Sequence, residues 1–269
     1  MLPRPTALAL LLGLGFVLLA SGPSPAHAAK RKPAPLRVLV SNDDGVKAPG
    51  IDAIVRALSA RKDVKVTVVA PLENQSGTGG KTTPGAVTAL TVKRTTTKSG
   101  FKAVAVTGFP ADSIRYALAK VVKPAQVDLV VSGINDGANV GPFVDLSGTV
   151  GAARAAAQRG IPALATSQGL SDPKDFAGSV AQTMAWVAKN RAKLKRGTVQ
   201  NLNVPTCTTG RVRGTTSVRS GTIASFPAGV NPLLGPVDCA QTGPAGPDDV
   251  TAYLAGYAGL TKIPTVPAA

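Results

Sequence analysis

Short apolar segments alternate with segments of helical periodicity along the chain. Leu36 to Val40 is a continuous apolar run, and apolar residues recur at helical spacing from Ile51 to Ala60. The run from Val64 to Ala70 is again apolar, as in strands that are buried on both faces of a sheet. This order predicts a strand, a helix and a second, parallel strand.

The alternation continues through the middle of the chain. It predicts, in order, a strand at Ala103–Val106, a helix from Ala111 to about Val121, a strand at Val127–Val131, a helix at Thr149–Arg159 and a strand at Pro162–Thr166. Residues 91–102 are predicted to form an exposed hairpin, and the basic stretch 189–197 a solvated helix end. Strands that alternate with helices predict an α/β fold with a doubly wound sheet.

Polar loops follow three of the predicted strands. They are SNDDG at 41–45, PLENQSGTGG at 71–80 and SGINDGANVG at 132–141. The carboxyl ends of parallel strands share one edge, where ligands of such sheets bind. We therefore expect the Asp, Asn and Ser side chains of these loops to lie together.

Asp43 and Asp44 are adjacent carboxylates at the end of the first strand. Two charges about 4 Å apart near a protein surface repel by about 4 kcal/mol, so an ionised pair favours a bound cation. Oxygen ligands favour a hard ion such as Mg²⁺ or Mn²⁺. The alternative is that SNDDG is an ordinary turn or helix cap, for which Asn, Asp and Gly are also suited.

Ser147, Gly148 and Thr149 open an alanine-rich predicted helix. Free backbone N–H groups at a helix start favour an anion, so this turn is a candidate phosphate cradle. The alternative is an ordinary Ser or Thr N-cap.

The amino-terminal segment has the features of a secretory signal peptide. Arg4 precedes an apolar stretch from Ala7 to Ala20, and Ala26-His27-Ala28 has the small-x-small pattern of a cleavage site. We expect cleavage after Ala28, a single domain at 29–269, and export to the cell envelope or the medium. The alternative, a membrane anchor, would need about 20 apolar residues, so no stable membrane insertion is expected.

Composition narrows the chemistry. The only histidine, His27, lies in the predicted signal peptide, which excludes a catalytic triad, a histidine base and a His-based zinc site from the mature chain. The chain has 30 Lys and Arg against 14 Asp and Glu, a net charge of +16 that favours anionic ligands. One Trp, three Tyr and six Phe are too few for a basic surface interleaved with aromatics, so a nucleic-acid polymer is not an expected partner.

Cys207 and Cys239 are the only two cysteines. In an oxidising compartment outside the cytoplasm, two such cysteines are expected to form one structural disulfide.

The ordered motifs of this chain resemble those of the SurE (survival protein E) family of 5'/3'-nucleotidases. The matching blocks are VLVSNDDGVKAPGI, VTVVAPLENQSG, VTGFPADSIRYAL, DLVVSGINDGANVG, LSGTVGAARAAAQRGIPALATS, QNLNVP and DDVTAYLAGYAGLTKI. They occur in family order over nearly the whole predicted mature chain.

The resemblance implies a Rossmann-like, mostly parallel sheet with a C-terminal extension, and a phosphatase that acts on nucleoside monophosphates with one divalent metal ion, Mg or Mn. The implied metal ligands are Asp43, Asp44, Ser76 and Asn135. The residues that match positions around the family's phosphate pocket are Asn74, Gly77, Asn139, Ser147, Gly148 and Thr149. The extension implies a homodimer or tetramer.

The chain departs from the family pattern at three places. Lys81-Thr82-Thr83 replaces the more usual small polar residues after the second loop. Leu146 stands where the family usually has a tyrosine, just before the SGTV turn. Residues 205–247 form a Gly/Pro-rich insert whose sole aromatic is Phe226, where family members carry a longer, aromatic-rich arm.

Two other functions would use similar motifs. One is a non-catalytic exported binder of a phosphate-bearing ligand, and the other is a phosphatase for a different substrate, such as short polyphosphate. Within the hydrolase hypothesis, Asp43 and Asp44 are the candidate catalytic residues, and Asp43 is the candidate base.

Overall fold

The predicted strand, helix and parallel strand open the described part of the chain. They are β1 (Leu36–Ser41), α1 (Pro49–Ser59) and β2 (Val64–Pro71). The structure, a computed structural model, describes residues 1–2, 34–231 and 234–267. Ala34–Ala269 forms one compact unit. The predicted signal peptide lies outside the described residues except for Met1 and Leu2.

The remaining elements continue the alternation. In chain order they are β3 (Val92–Thr96), β4 (Lys102–Val106), α2 (Pro110–Tyr116), β5 (Leu129–Asp136), α3 (Gly148–Ala157), β6 (Ala163–Gln168), α4 (Ala177–Asn190), β7 (Val199–Val204), β8 (Cys207–Thr209), β9 (Thr215–Ser217), β10 (Val237–Asp238), α5 (Asp249–Leu254) and β11 (Ala258–Ile263). No helix within the described ranges is long and apolar enough to cross a membrane.

The main sheet has nine strands in the order β3-β4-β2-β1-β5-β6-β7-β11-β9. The six strands from β4 to β7 in this order are mutually parallel, whereas β3 and β11 pair antiparallel with β4 and β7. The prediction of an α/β fold with a mostly parallel sheet and a C-terminal extension is confirmed.

Helices cover both faces of the sheet because successive side chains of a strand point to opposite faces. In β1, Val38 and Val40 belong to the core on the side of α1 and α4. Leu39, between them, belongs to the core on the side of α2 and α3. The fully apolar runs seen in the sequence are therefore strands that are buried on both faces of the sheet.

One predicted boundary was wrong. The strand predicted at Val127–Val131 extends as β5 to Asp136, because pairing with β6 resumes after an irregularity and places Asn135 opposite Ser167. The helix predicted from Ala111 to about Val121 is confirmed; it is α-helical to Tyr116 and ends in one π-helical turn over Ala117–Val121. The hairpin predicted at 91–102 is present as β3 and β4, with Thr96 opposite Lys102.

The sequence pattern did not predict the strands of the Gly/Pro-rich insert. β9 extends the main sheet beside β11, and β8 pairs with β10 in a separate two-stranded sheet. A disulfide joins Cys207 in β8 to Cys239 just after β10, with Cα atoms 5.4 Å apart. It therefore ties the two ends of the insert together.

Candidate active site

Asp43 lies just beyond the end of β1 and is almost fully buried, with 2% of its surface exposed. Its Oδ1 accepts a hydrogen bond of 2.5 Å from the Thr149 hydroxyl of α3. Its backbone carbonyl accepts a hydrogen bond of 2.7 Å from the N–H of Gln75. Asp43 thus connects the loop after β2 to the start of α3.

Glycine at position 148 allows α3 to approach this carboxylate. A Cβ at Gly148 would lie 2.8 Å from the Cβ of Asp43 and 3.0 Å from its Oδ2. A Cβ at Gly151, one turn further on, would lie 2.0 Å from the carbonyl oxygen of Gly79. Both contacts are shorter than real Cβ contacts, so α3 can pack against the first two loops only because these residues are glycines.

Two opposing effects act on the Asp43 carboxyl. Burial raises its pKa, because an ion loses solvation inside the protein. The Thr149 hydroxyl and the backbone N–H groups of Thr149 and Gly148 stabilise the carboxylate and partly lower the pKa. The amino terminus of α3 therefore faces Asp43, and its dipole favours the ionised form.

Asp44 is half-buried and lies between the second and third loops. Its Oδ1 is 3.4 Å from the Nδ2 of Asn74, and its Oδ2 accepts a 3.3 Å hydrogen bond from the N–H of Asp136. Burial, followed by the negative charge of Asp43, raises the pKa of Asp44 to about 7. Both effects favour the neutral carboxyl, so Asp44 holds its proton more tightly than an exposed carboxyl does.

Sequence reasoning missed two charged residues of this site. Asp136 adds a third carboxylate near Asp44, and Lys174 forms an ion pair with Asp136. Asp136 directly follows Asn135 within the segment SGINDGANVG at 132–141. Lys174 belongs to the loop after β6, and the carboxyl end of β6 lies on the same edge of the sheet as the three polar loops. This shared edge is the feature of the sequence that could have predicted Lys174 at the site.

The loop after β2 brings Asn74 and Ser76 to the same edge. The Oδ1 of Asn74 accepts a 2.9 Å hydrogen bond from the N–H of Ser76, while its Nδ2 faces Asp44. Ser76 is exposed, so its hydroxyl is open to a ligand. Gly77 has φ of +76° and open space around it, so the turn needs glycine for its backbone conformation.

Asn135 and Asn139 occupy different surroundings. Asn135 is 7% exposed and its Nδ2 donates to the carbonyl of Gly137, which leaves its side-chain oxygen for another partner. Asn139 donates its Nδ2 to Ser167, and its backbone N–H and carbonyl bond the side chains of Asn203 and Asn201. These contacts fix the third loop on β6 and β7, and a role for Asn139 at phosphate stays a prediction.

Ser147 is the N-cap of α3, since its Oγ accepts a 3.2 Å hydrogen bond from the N–H of Val150. The capping alternative for this turn is therefore realised. The N–H groups of Gly148 and Thr149 in the same turn face Asp43, so a phosphate bound here would share these donors with that carboxylate. Leu146, at the position of the family's tyrosine, is 58% exposed.

The predicted donors fit a hard divalent cation. Asp43, Asp44, Ser76 and Asn135 offer carboxylate, hydroxyl and amide oxygens, the ligand types that such ions prefer. Only the two aspartates among these four predicted ligands carry charge. No group of three or more His, Cys, Asp or Glu suited to a metal occurs in the described part of the chain. The excess of carboxylate charge at Asp44 is what a cation would relieve.

Fold and site together define a doubly wound α/β protein with an acidic site at the carboxyl edge of its parallel strands. The sequence profile of the family described as "Survival protein SurE" matches residues 38–225. The chain belongs to this family. The matched region includes every predicted metal and phosphate residue, whereas Cys239 lies beyond it.

Relatives of known name agree with this assignment. "5'-nucleotidase SurE" of Syntrophobacter fumaroxidans is 42% identical over 189 residues, which are 69% of this chain and 73% of the relative. "5'/3'-nucleotidase SurE" of Serratia proteamaculans is 36% identical over 239 residues, 85% of this chain and 90% of the relative. The crystal structure of the SurE protein from Aquifex aeolicus matches with a TM-score of 0.69 at 27% identity, covering 86% of this chain and 94% of that one.

Proposed function

We propose that this protein is a divalent-metal-dependent phosphomonoesterase that releases phosphate from nucleoside monophosphates. The observation that carries the proposal is the convergence of Asp43, Asp44 and Asn74 with the amino terminus of α3 on one edge of the sheet. Membership of a family whose relatives are named nucleotidases supports the choice of substrate.

The metal ligands in this proposal are Asp43, Asp44, Ser76 and Asn135, and the ion is Mg²⁺ or Mn²⁺. A bound divalent ion would neutralise charge on the phosphate oxygens. Asn74 has a supporting role, because it contacts both Asp44 and the backbone of Ser76. It thereby holds the loop after β1 next to the loop after β2.

Asp43 is the proposed base. Thr149 and the start of α3 fix its orientation and favour its ionised form, so its carboxylate can orient the attacking water and accept its proton. Since the predicted mature chain contains no histidine, solvent is the proposed source of the proton for the departing alkoxide.

The phosphate group is proposed to lie against Ser147, Gly148 and Thr149. Backbone N–H groups at a helix start stabilise anions, and those of Gly148 and Thr149 would be shared between Asp43 and the phosphate. Asn74, Gly77 and Asn139 complete the proposed surroundings. The net charge of +16 would speed the approach of an anionic substrate.

Phosphate release tests this proposal directly. AMP and GMP should release phosphate in the presence of Mg²⁺ or Mn²⁺, and a chelator should abolish the release. Tripolyphosphate serves as the comparison substrate. A protein that binds AMP without releasing phosphate under any metal condition would be a binder, and release from tripolyphosphate alone would make it a polyphosphatase; either result would overturn the proposal.

We also propose that the mature protein is exported and begins at Ala29. The signal-like segment and the pairing of the only two cysteines support this location. Mass spectrometry of the protein from the culture medium and the envelope fraction should give a chain that starts at Ala29 and carries the disulfide. A homodimer or tetramer is the proposed assembly, which light scattering with mass determination would test.

A further inference from the structure

A cavity of about 310 Å³ lies at the opposite edge of the sheet from the active site. Its walls come from the amino ends of β6 and β7, the end of α4 and the loop that follows it, and the carboxyl end of the antiparallel β11. The active-site loops instead follow the carboxyl ends of β1, β2 and β5. A ligand in this cavity would therefore not occupy the active site.

The charge of this cavity is positive. Lys193, Lys195 and Lys262 line it, and among the described residues no Asp or Glu does. No ion pair joins any of these three lysines to a carboxylate within 34–231 and 234–267. Three ammonium groups around one small cavity favour an anion that can accept several hydrogen bonds, and phosphate oxygens are such acceptors.

Hydrogen bonds fix the position of several side chains that line the cavity. The indole N–H of Trp186 donates 2.9 Å to the Oε1 of Gln200, and Asn190 donates its Nδ2 to the carbonyl of Trp186. The Gln200 amide is thereby oriented, and its Nε2 remains a donor. The anion-binding groups therefore surround a fixed framework of polar and aromatic side chains.

The cavity also has apolar walls. Trp186, Leu194 and Pro162 line it beside the lysines. Its volume lies at the lower end of the range of about 300 to 1,000 Å³ that is typical of small-molecule sites. A bare inorganic anion would leave the apolar walls without a partner, whereas a phosphate ester with a carbon skeleton or ring would contact both kinds of surface.

We propose that this cavity binds a small organic phosphate, at a site separate from the active site. The phosphate is held by Lys193, Lys195 and Lys262, and the organic part packs against Trp186 and Leu194. The assignment does not depend on the proposed catalytic function, and it gives a role to the basic stretch at 189–197, which the active site does not use.

The single tryptophan makes the test direct. Trp186 is the only tryptophan of the chain, so its fluorescence reports on this cavity. The probe is ADP, titrated into the full-length protein with a chelator present so that no metal-dependent turnover occurs. We expect a saturable change in Trp186 emission, and we expect pyrophosphate to bind more weakly than ADP.

The variant K193Q/K195Q/K262Q should weaken ADP binding by about tenfold or more, as expected for the loss of charge-assisted hydrogen bonds. The matched control K65Q/K93Q/K102Q removes the same charge from exposed positions on β2, β3 and β4 and should keep its affinity. Both variants should keep the far-UV circular dichroism spectrum and a cooperative melting transition of the unaltered protein, which shows that they fold.

Three results would overturn the assignment. In the first, ADP causes no saturable change in Trp186 fluorescence, and equilibrium dialysis shows that the unaltered protein and K193Q/K195Q/K262Q bind the same amount of ADP. Another is an equal loss of affinity in both variants, which would mean general electrostatic attraction. The third is equal affinity for pyrophosphate and ADP, which would contradict the organic part of the ligand.

Discussion

At the scale of single residues, the site depends on how α3 approaches the two aspartates. The adjacency of Asp43 and Asp44 is visible in the sequence, but the hydrogen bond from Thr149 and the contact with Gly148 are not, because they join residues more than 100 positions apart. The two aspartates also differ in surroundings: Asp43 faces a helix start, whereas Asp44 faces other carboxylates.

The Asp43→Asn substitution should reduce phosphate release from AMP by about 100-fold or more, because an amide cannot accept the proton of water. The fold should remain, since the Asn Oδ1 can still accept the Thr149 hydrogen bond. Steady-state kinetics and circular dichroism check both parts. Asp128→Asn, which removes the partner of Arg37 at the amino end of β1, is the control and should leave the rate unchanged. An active Asp43→Asn protein would refute the assignment of the base.

The Gly148→Ala substitution should lower activity because the added Cβ would lie 2.8 Å from the Cβ of Asp43 and must displace it. A shift of this kind in a catalytic group can slow the reaction by about 100-fold. Gly80→Ala is the matched control, since a Cβ at Gly80 meets nothing within 4 Å. Equal rates for the two variants would show that the close approach of α3 has no role in the reaction.

At the scale of elements, sequence periodicity predicted the buried strands well and the boundaries of the site poorly. The apolar runs of β1, β2, β4 and β6 are buried on both faces, so composition alone reveals them. The end of β5 carries the polar residues Ser132, Asn135 and Asp136, and this polarity made a strand resemble a loop. The short strands of the insert have no apolar periodicity, because they lie at the sheet edge or in a small exposed sheet.

The disulfide should stabilise the insert without affecting the reaction. It joins residues 32 positions apart, which on the chain-entropy account stabilises the fold by about 3 to 4 kcal/mol. Reduction should therefore lower the melting temperature by about 6 to 16 °C in a domain of this size. Calorimetry with and without dithiothreitol checks this shift. The C207S/C239S variant should melt at the lower temperature both with and without dithiothreitol. An equal melting temperature of the unaltered protein with and without dithiothreitol would contradict the prediction.

At the scale of the whole molecule, the fold gathers negative charge into one site of a protein whose net charge is strongly positive. The parallel strand order could be predicted from the alternation of strands and helices, and with it the shared edge of the three loops. The shared edge also points to Asp136 and Lys174, but their ion pair could not be predicted, because it depends on how the loop after β6 folds back toward β5.

This concentration of charge predicts how pH affects the stability of the metal-free protein. The folded pKa of Asp44 is about 7, above the value of about 3.9 in unfolded chains. Between these values the folded state binds more protons, so stability falls as pH rises. The Asp44→Asn variant lacks this titrating group. The difference between its melting temperature and that of the unaltered protein should therefore increase from pH 5 to pH 8 when a chelator is present.

The same difference measured for Asp128→Asn is the control. The guanidinium of Arg37 holds the pKa of Asp128 below its ordinary value, so this carboxyl is ionised in both states above pH 5 and its difference should stay constant. A flat profile for Asp44→Asn would mean that burial and the charge of Asp43 do not raise the pKa of Asp44.

The most direct test of the proposed site is a crystal of the protein grown with Mn²⁺, with the ion located by its anomalous scattering. The result we predict is one ion within about 2.0 to 2.4 Å of oxygens from Asp43, Asp44, Ser76 and Asn135. An ion elsewhere, or no ion among these four side chains at a concentration that supports phosphate release, would contradict it.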